Sequence, residues 1–340
     1  MTSTKRVEDQ RSQAARELRR GDGVRVRSAE EIAATLDGNG DTDRLPFMPE
    51  MLSMCGQSFE VKARADKTCD TINLKGVTRS MTDTVHLVGA RCDGSAHGGC
   101  QAGCLLFFKE TWLERVDTAA TNPPRVPVPM ADKLAAHTQA GPETYRCQAT
   151  QLLDATGELD AAGYRHWARD IQTRNASPTQ IARAVGLGVI NKYQHHSQRL
   201  PRRLQIAEGT RLPAVRGHLT KTPTESLDLM PGEMVEVKSR EEIFATLNED
   251  HRNRGLWFDS EMLPYCGRRA RVLARVDQII DEKTGRMTAM KNPCIVLDSF
   301  VCSGSMNKLC PRAIYCYWRE IWLRRVDEPS AQNDDMTRSH

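Results

Sequence analysis

The chain has 340 residues, a net charge of +4, 39% apolar residues and only 5% aromatic ones. That length suits two or three domains with small cores, and a charge so near neutral gives no reason of its own to expect nucleic acid. No apolar run reaches the roughly eighteen residues that a membrane-spanning helix needs.

Residues 1–20 read as a polar tail. They carry Glu8, Asp9 and Glu17 and lack the apolar centre of a secretory signal, so a cytoplasmic location is expected. Eleven cysteines are many for such a compartment, and the odd number fits a full disulfide framework poorly. Thiols kept reduced more often bind metal or do chemistry than pair with one another.

From Gly21 onward the chain repeats itself. Gly21-Asp22-Gly23-Val24-Arg25-Val26-Arg27-Ser28 matches Gly232-Glu233-Met234-Val235-Glu236-Val237-Lys238-Ser239 at an offset of 211. The match runs on through Ala34-Thr35-Leu36 and Ala245-Thr246-Leu247, then through Glu50-Met51-Leu52 and Glu261-Met262-Leu263. After one lost residue, Cys92 and Cys100 align with Cys302 and Cys310. Trp112-Leu113-Glu114-Arg115-Val116-Asp117 and Trp322-Leu323-Arg324-Arg325-Val326-Asp327 close the two copies. The copies are therefore 21–117 and 232–327, each long enough for a domain.

Within each copy, Val24 and Val26, or Val235 and Val237, alternate with polar residues as in a half-buried strand. Ser28 and Glu31, like Ser239 and Glu242, have capping-box spacing and predict a short helix carrying Ile32 or Ile243. Further strands are expected at 59–65 and 270–276, at 85–88 and 295–297, and in the closing Trp-Leu-x-Arg-Val segments. An opening Gly-x-x-Val-x-Val and a closing tryptophan strand resemble SH3-like barrels.

The expected fold is mainly β with a helical connector: two SH3-like small barrels from an internal duplication. The whole chain resembles a bacterial family of tandem SH3-like repeat proteins with a Cys-rich loop. That resemblance lies in Phe47-Met48-Pro49-Glu50-Met51, Lys67-Thr68-Cys69-Asp70, the segment Arg91 to Cys100, and Tyr317-Trp318-Arg319-Glu320-Ile321-Trp322. It implies no particular activity, only an association with specialised metabolism.

The first copy holds Cys55, Cys69, Cys92, Cys100 and Cys104, the last three as C-x7-C-x3-C with Gly94, Gly98, Gly99 and Gly103 between and beside them. Glycines let such a loop turn tightly around a centre. Cys69, Cys92, Cys100 and Cys104 are the expected metal ligands, with His97 as a substitute ligand or a hydrogen-bond donor to one. Four thiolates suit tetrahedral Zn²⁺, or by count an iron–sulfur cluster or iron. Lys67 and Arg91 would offset the charge. Redox thiols and plain buried cysteines are the competing readings.

Copy two keeps Cys302 and Cys310 but has Ile280 and Ile314 where copy one has Cys69 and Cys104, and it adds Cys294 and Cys316. Loss of the site there is expected. Cys55 and Cys266 share a position and read as small buried side chains. Cys147 stands alone and reads as incidental. Glu50 and Glu261, Asp70 and Asp281, and Glu110 and Glu320 recur in both copies, which points to the fold. His86, opposite Val296, reads as a structural strand histidine.

Residues 118–150, with Pro123, Pro124, Pro127 and Pro129, read as a linker. Residues 151–231 read as a helical, then basic, connector. Tyr164, Trp167 and Ile171 fall on one helical face, and Ser177-Pro178-Thr179-Gln180 starts a second helix with an apolar stripe of Ile181, Val185, Val189 and Ile190. Between residues 191 and 221, seven Lys or Arg face only Glu208, a net +6. An anionic partner would fit this stretch, as would a solvated tether, which is the preferred reading. Nucleic acid is disfavoured because only Tyr193 offers a ring for stacking. Residues 328–340 form a second polar tail.

Two functions remain open. One is a metal-binding interaction or accessory module with a protein partner. The other is a metal- or thiolate-dependent enzyme of bacterial specialised-metabolite biosynthesis. No phosphate loop, nucleophile elbow or HExxH helix is present, so the sequence names no reaction.

Overall fold

The computed structural model describes residues 17–73, 78–116, 128–159, 164–197, 201, 203 and 212–326. Most of both polar tails, Pro123, Pro124 and Pro127, and Arg199, Arg202, Glu208 and Arg211 of the basic stretch lie outside them. The chain divides into two units. The first is Met1–Gln205 with Gln278–Ala289 and Cys302–Ile314, and the second is Ile206–Asp277 with Met290–Val301 and Tyr315–His340.

Strands dominate. In the first copy β1 (Gly23–Val26), β2 (Ser58–Arg64), β3 (Lys67–Cys69), β4 (Thr78–Ser80), β5 (Thr84–Arg91), β6 (Leu105–Lys109) and β7 (Leu113–Arg115) follow one another. Five of them form one sheet in the order β6-β5-β2-β1-β7. Val24 sits opposite Phe59 on one side and Arg115 on the other, and the alternation read from the sequence buries Val24 and Val26.

Helix α1 (Ala29–Ala33) starts where the capping box predicts. Ser28 Oγ accepts from Glu31 N at 3.2 Å, and Glu31 accepts from Ser28 N at 2.9 Å. Trp112 is fully buried and donates its indole N–H to Thr42 Oγ1 at 3.0 Å. Truncating such a residue to alanine costs about 3–5 kcal/mol.

The segment expected as a linker is folded where described. Helix α2 (Val128–Thr138) buries Leu134 in the first core, and Gln148 satisfies both backbone groups of one strand residue. It accepts from Phe107 N at 2.9 Å and donates to Phe107 O at 2.9 Å. Proline-rich flanks suggested a tether, but the apolar Leu134, Cys147, Ala149 and Leu152 behind them belong to the core.

Helices α3 (Arg165–Gln172) and α4 (Pro178–Ser197) form as expected, but their expected faces are not the buried ones. Tyr164 is 77% exposed and Ile171 is exposed too, whereas Asp170 is buried. Asp170 binds the buried Lys67 Nζ at 2.5 Å, and that ammonium lies 4.6 Å from the centre of the Trp167 ring. One buried ion pair thus sets the helix's orientation, where apolar spacing alone pointed elsewhere. On α4 the Ser177–Gln180 cap is present, yet Val185, Val189 and Ile190 are exposed and Ala184 is buried.

In the second copy β8 (Met234–Val237), α5 (Arg240–Phe244), β9 (Arg269–Ile280), β10 (Met287–Val301), β11 (Tyr315–Trp318) and β12 (Leu323–Arg325) give a sheet ordered β11-β10-β9-β8-β12. Val235 sits opposite Ala270 and Arg325, the positions matching Phe59 and Arg115. The order and pairing of the five strands are the same as in the first copy. The described residues contain no helix long and apolar enough to cross a membrane.

Within the first unit, equivalent segments of the two copies exchange matching bonds. Cys69 N donates to Cys310 Sγ at 3.2 Å, and Ile280 N donates to Cys100 Sγ at 3.3 Å. Lys67 Nζ donates to Lys308 O at 2.5 Å, and Gln278 Nε2 to Gly98 O at 3.1 Å. These bonds account for Gln278–Ala289 and Cys302–Ile314 belonging to the first unit rather than to the rest of their copy.

Candidate metal centre

The site begins with the loop between β5 and β6. Its ends are tied by Cys92 N donating to Cys104 O at 2.8 Å. Gly94 then turns the chain at φ +73°, and a Cβ there would meet Cys100 O at 2.0 Å, so only glycine fits. Two amides, His97 N and Gly99 N, bond Gly94 O at 3.1 and 3.0 Å and wind the loop into a tight turn. Gly98 packs against the Tyr145 ring, which a Cβ would meet at 2.5 Å. Thr138 Oγ1, at the end of α2, donates to Ala96 O at 2.9 Å, which fixes the loop from outside.

This turn brings His97 back over Cys92, with Nε2 3.3 Å from Sγ. A carboxylate arrives from a separate element. The 3-10 turn Pro49–Met54 carries Glu50 in its first turn, and Glu50 Oε1 lies 3.8 Å from His97 Nδ1. The ligand atoms of Glu50, Cys92 and His97 all lie within 4.8 Å of one another. Donors bound tetrahedrally at about 2.0–2.3 Å stand about 3.3–3.8 Å apart, so the three groups would draw together, through one imidazole nitrogen, to share an ion.

The electrostatics of the three groups agree. Burial raises the Glu50 carboxyl above its ordinary range and lowers the His97 imidazole. Burial, then the charge of Glu50, drives the Cys92 thiol far up. Each group is pressed toward its neutral form. Among the described residues, no group stands in ordinary hydrogen-bond geometry to either Glu50 oxygen or to His97 Nδ1, although the Cys92 thiol faces the carboxylate. Buried polar atoms of this kind are rare without an explanation. A divalent cation reverses the logic, since it favours the thiolate and carboxylate and occupies the orphaned lone pairs. Beside the triad lies a cavity of about 30 Å³, bordered by Cys104, Cys147, Gln148 and Arg312. That space holds one or two waters.

Of the residues expected as ligands, Cys92 and His97 enter this group, while Cys69, Cys100 and Cys104 do not. Cys69 and Cys100 take part in the exchanged bonds described above. Cys104 borders the cavity, its thiol pushed up to about 12 by burial. Lys67 pairs with Asp170, and Arg91 donates to Gly103 O and Ala313 O at 2.7 and 2.9 Å.

Glu50 is the member that sequence reasoning assigned to the fold. Its recurrence as Glu261 masked it, and only its place one residue after Pro49, in an acidic first turn, hinted at a fixed carboxylate. Cys147, read as incidental, borders the cavity. Cys55 and Cys266 are packing residues, with burial raising both thiols to about 11, the opposite of nucleophile activation. His86 is structural as expected: it is buried, its Nδ1 lies 2.9 Å from Leu106 O, and burial lowers it to about 4.

No family model, curated protein or solved structure matches this chain.

Proposed function

We propose that this chain is a zinc-binding protein built on two SH3-like copies, in which Glu50, Cys92 and His97 hold one Zn²⁺ and the assembly serves as an interaction or accessory module. The reading is carried by the buried Glu50 carboxylate, which stands beside a thiol and an imidazole and, among the described residues, has no group in ordinary hydrogen-bond geometry to either oxygen. Sulfur, nitrogen and oxygen donors together suit zinc, whereas an iron–sulfur cluster calls for several thiolates and this group offers one. The ion would tie the Pro49–Met54 turn to the β5–β6 loop. It would reinforce a small core, as metals do in small domains. The exposed Val185, Val189 and Ile190 of α4 support contact with a protein partner. An anionic partner at 191–221 draws support only from the composition of that stretch.

A second reading, a metal-dependent enzyme, is favoured by one observation. Three protein ligands leave a tetrahedral position open, and a cavity lies beside them. Its volume suits water rather than a larger substrate, which favours the first reading.

Elemental analysis of the purified chain tests the proposal. One zinc per chain is expected, with loss of that zinc in Glu50→Gln and in Cys92→Ser. Absence of any metal after zinc reconstitution, or retention in both variants, would sink it. Chelation separates the two roles: a tying ion lowers the unfolding midpoint when removed, whereas a catalytic one leaves it unchanged.

A further inference from the structure

We propose that Cys69 and Cys310 form a peroxide-reactive dithiol, with Cys69 as the attacking sulfur and Cys310 as the resolving one, separate from the zinc centre. Cys69 ends β3, and Cys310 follows two residues held in the left-handed region, Lys308 and Leu309, at φ +53° and +60°. The Cys69 amide donates to Cys310 Sγ at 3.2 Å, which sets the two cysteines side by side. The guanidinium of Arg312 is buried beside them, held by Glu282 Oε1 at 3.0 Å and Thr71 Oγ1 at 2.6 Å, and its charge favours the Cys69 thiolate.

The molecule contains its own control. Ile280 occupies the position of Cys69 in the second copy, and its amide makes the same bond to Cys100 Sγ at 3.3 Å. The backbone contact therefore forms with an isoleucine in that place. A thiol at 69 is not needed to build it, and what the cysteine adds is a second sulfur against the first. The bond from Cys310, then burial opposed by the Arg312 charge, leaves the Cys69 thiol lowered to about 7 while that of Cys310 is raised. A buried cation beside the pair favours one thiolate in it, as attack by a first sulfur on an oxidant requires.

Both sulfurs are largely covered, Cys69 at 9% and Cys310 at 5% exposure, so a water-sized oxidant is the fitting one. The Cys69 thiolate attacks one oxygen of hydrogen peroxide. An S–O bond forms as the O–O bond breaks, and the departing hydroxide takes the thiol proton to become water. Cys310 sulfur then attacks Cys69 sulfur. The S–S bond forms, the S–O bond breaks, and the second hydroxide leaves with the proton of Cys310 as water. Two thiols lose two electrons and two protons, and one peroxide becomes two waters. An external dithiol reverses the step.

The test treats the zinc-loaded full chain with hydrogen peroxide, alkylates it under denaturing conditions and maps its peptides by mass. Expected is a Cys69–Cys310 cross-link lighter by two hydrogens, with Cys100 still alkylated. Glutathione disulfide, being bulkier, should produce it at least about ten times more slowly. In Cys310→Ser a dimedone adduct should collect on Cys69, and in Cys69→Ser no cross-link should form. The oxidation rate of the native chain should rise with an apparent midpoint near neutral pH. A chain oxidised at Cys100 as readily as at Cys69, a cross-link that never forms, or a rate that climbs only in strong alkali would each overturn the proposal.

Discussion

The loops 92–104 and 302–314 share a backbone and differ in chemistry. Each turns at a glycine, Gly94 or Gly304, whose missing Cβ admits the carbonyl of Cys100 or Cys310 at 2.0 or 2.3 Å. Each winds two amides onto that glycine's oxygen: His97 and Gly99 in one, Asn307 and Leu309 in the other. The second loop even holds Lys308 and Leu309 in the left-handed region where the first has Gly98 and Gly99. Yet the first places an imidazole over Cys92, while the second has an amide, Asn307, at the same position. The loop's shape is fixed by a glycine and two hydrogen bonds, and the grouping of donors in the first loop is an addition made by side chains. Glu261 survives at the position of Glu50, so a recurring carboxylate does not by itself mark a recurring site.

The comparison can be broken first at its shared element. Gly94→Ala and Gly304→Ala should each destabilise the chain by about 4 kcal/mol, through left-handed strain plus a backbone clash. Urea unfolding would show it, and a mild effect in either would mean that the loops do not depend on a common turn.

Next in size is a pH effect confined to the first copy. His86 is buried and neutral, and its counterpart is Val296. Its folded value of about 4 lies below its ordinary 6.5, so the native state binds fewer protons than the unfolded chain between those values. Stability is therefore full above about pH 6.5 and falls as pH drops, by about 3 kcal/mol at pH 4. His86→Val, the second copy's residue, should flatten that slope in denaturant titrations run from pH 7 to pH 4.

The sharpest chemical contrast is His97→Asn, which writes the second loop's residue into the first. Zinc affinity should fall by at least about 100-fold in competition with a chromophoric chelator, while the fold persists. The smallest expected effect belongs to Cys100→Ser. A hydroxyl still accepts the Ile280 amide and no ligand is lost, so affinity should stay within about twofold. A large loss there would restore the four-thiolate arrangement.

Much of the fold was legible because its signals are local. Val24 and Val26 alternate at the strand period, Ser28 and Glu31 stand three apart, and Ser177-Pro178 opens a helix. The faces of the connector helices were not legible. Tyr164 and Ile171 have helical spacing, but spacing cannot reveal that Asp170 meets Lys67, a residue 103 positions earlier. The proline-rich run concealed α2 for a related reason, since a linker's composition and a helix packed just behind it overlap in the same window.

The candidate site divides in the same way. Cys92 and His97 are five residues apart, and the glycines around them announced a turn that folds one onto the other. The amino-acid sequence by itself determined the duplication, the strands with their caps and the glycine-hinged loop. All of these depend on repeats or on neighbours within a few positions. Tertiary structure alone decided that Glu50, and not Cys69, stands with Cys92 and His97, and that the Cys69 amide meets Cys310. Ligand convergence is set by where separate strands and turns bring side chains in space, and a list of cysteines carries no direction for any of them.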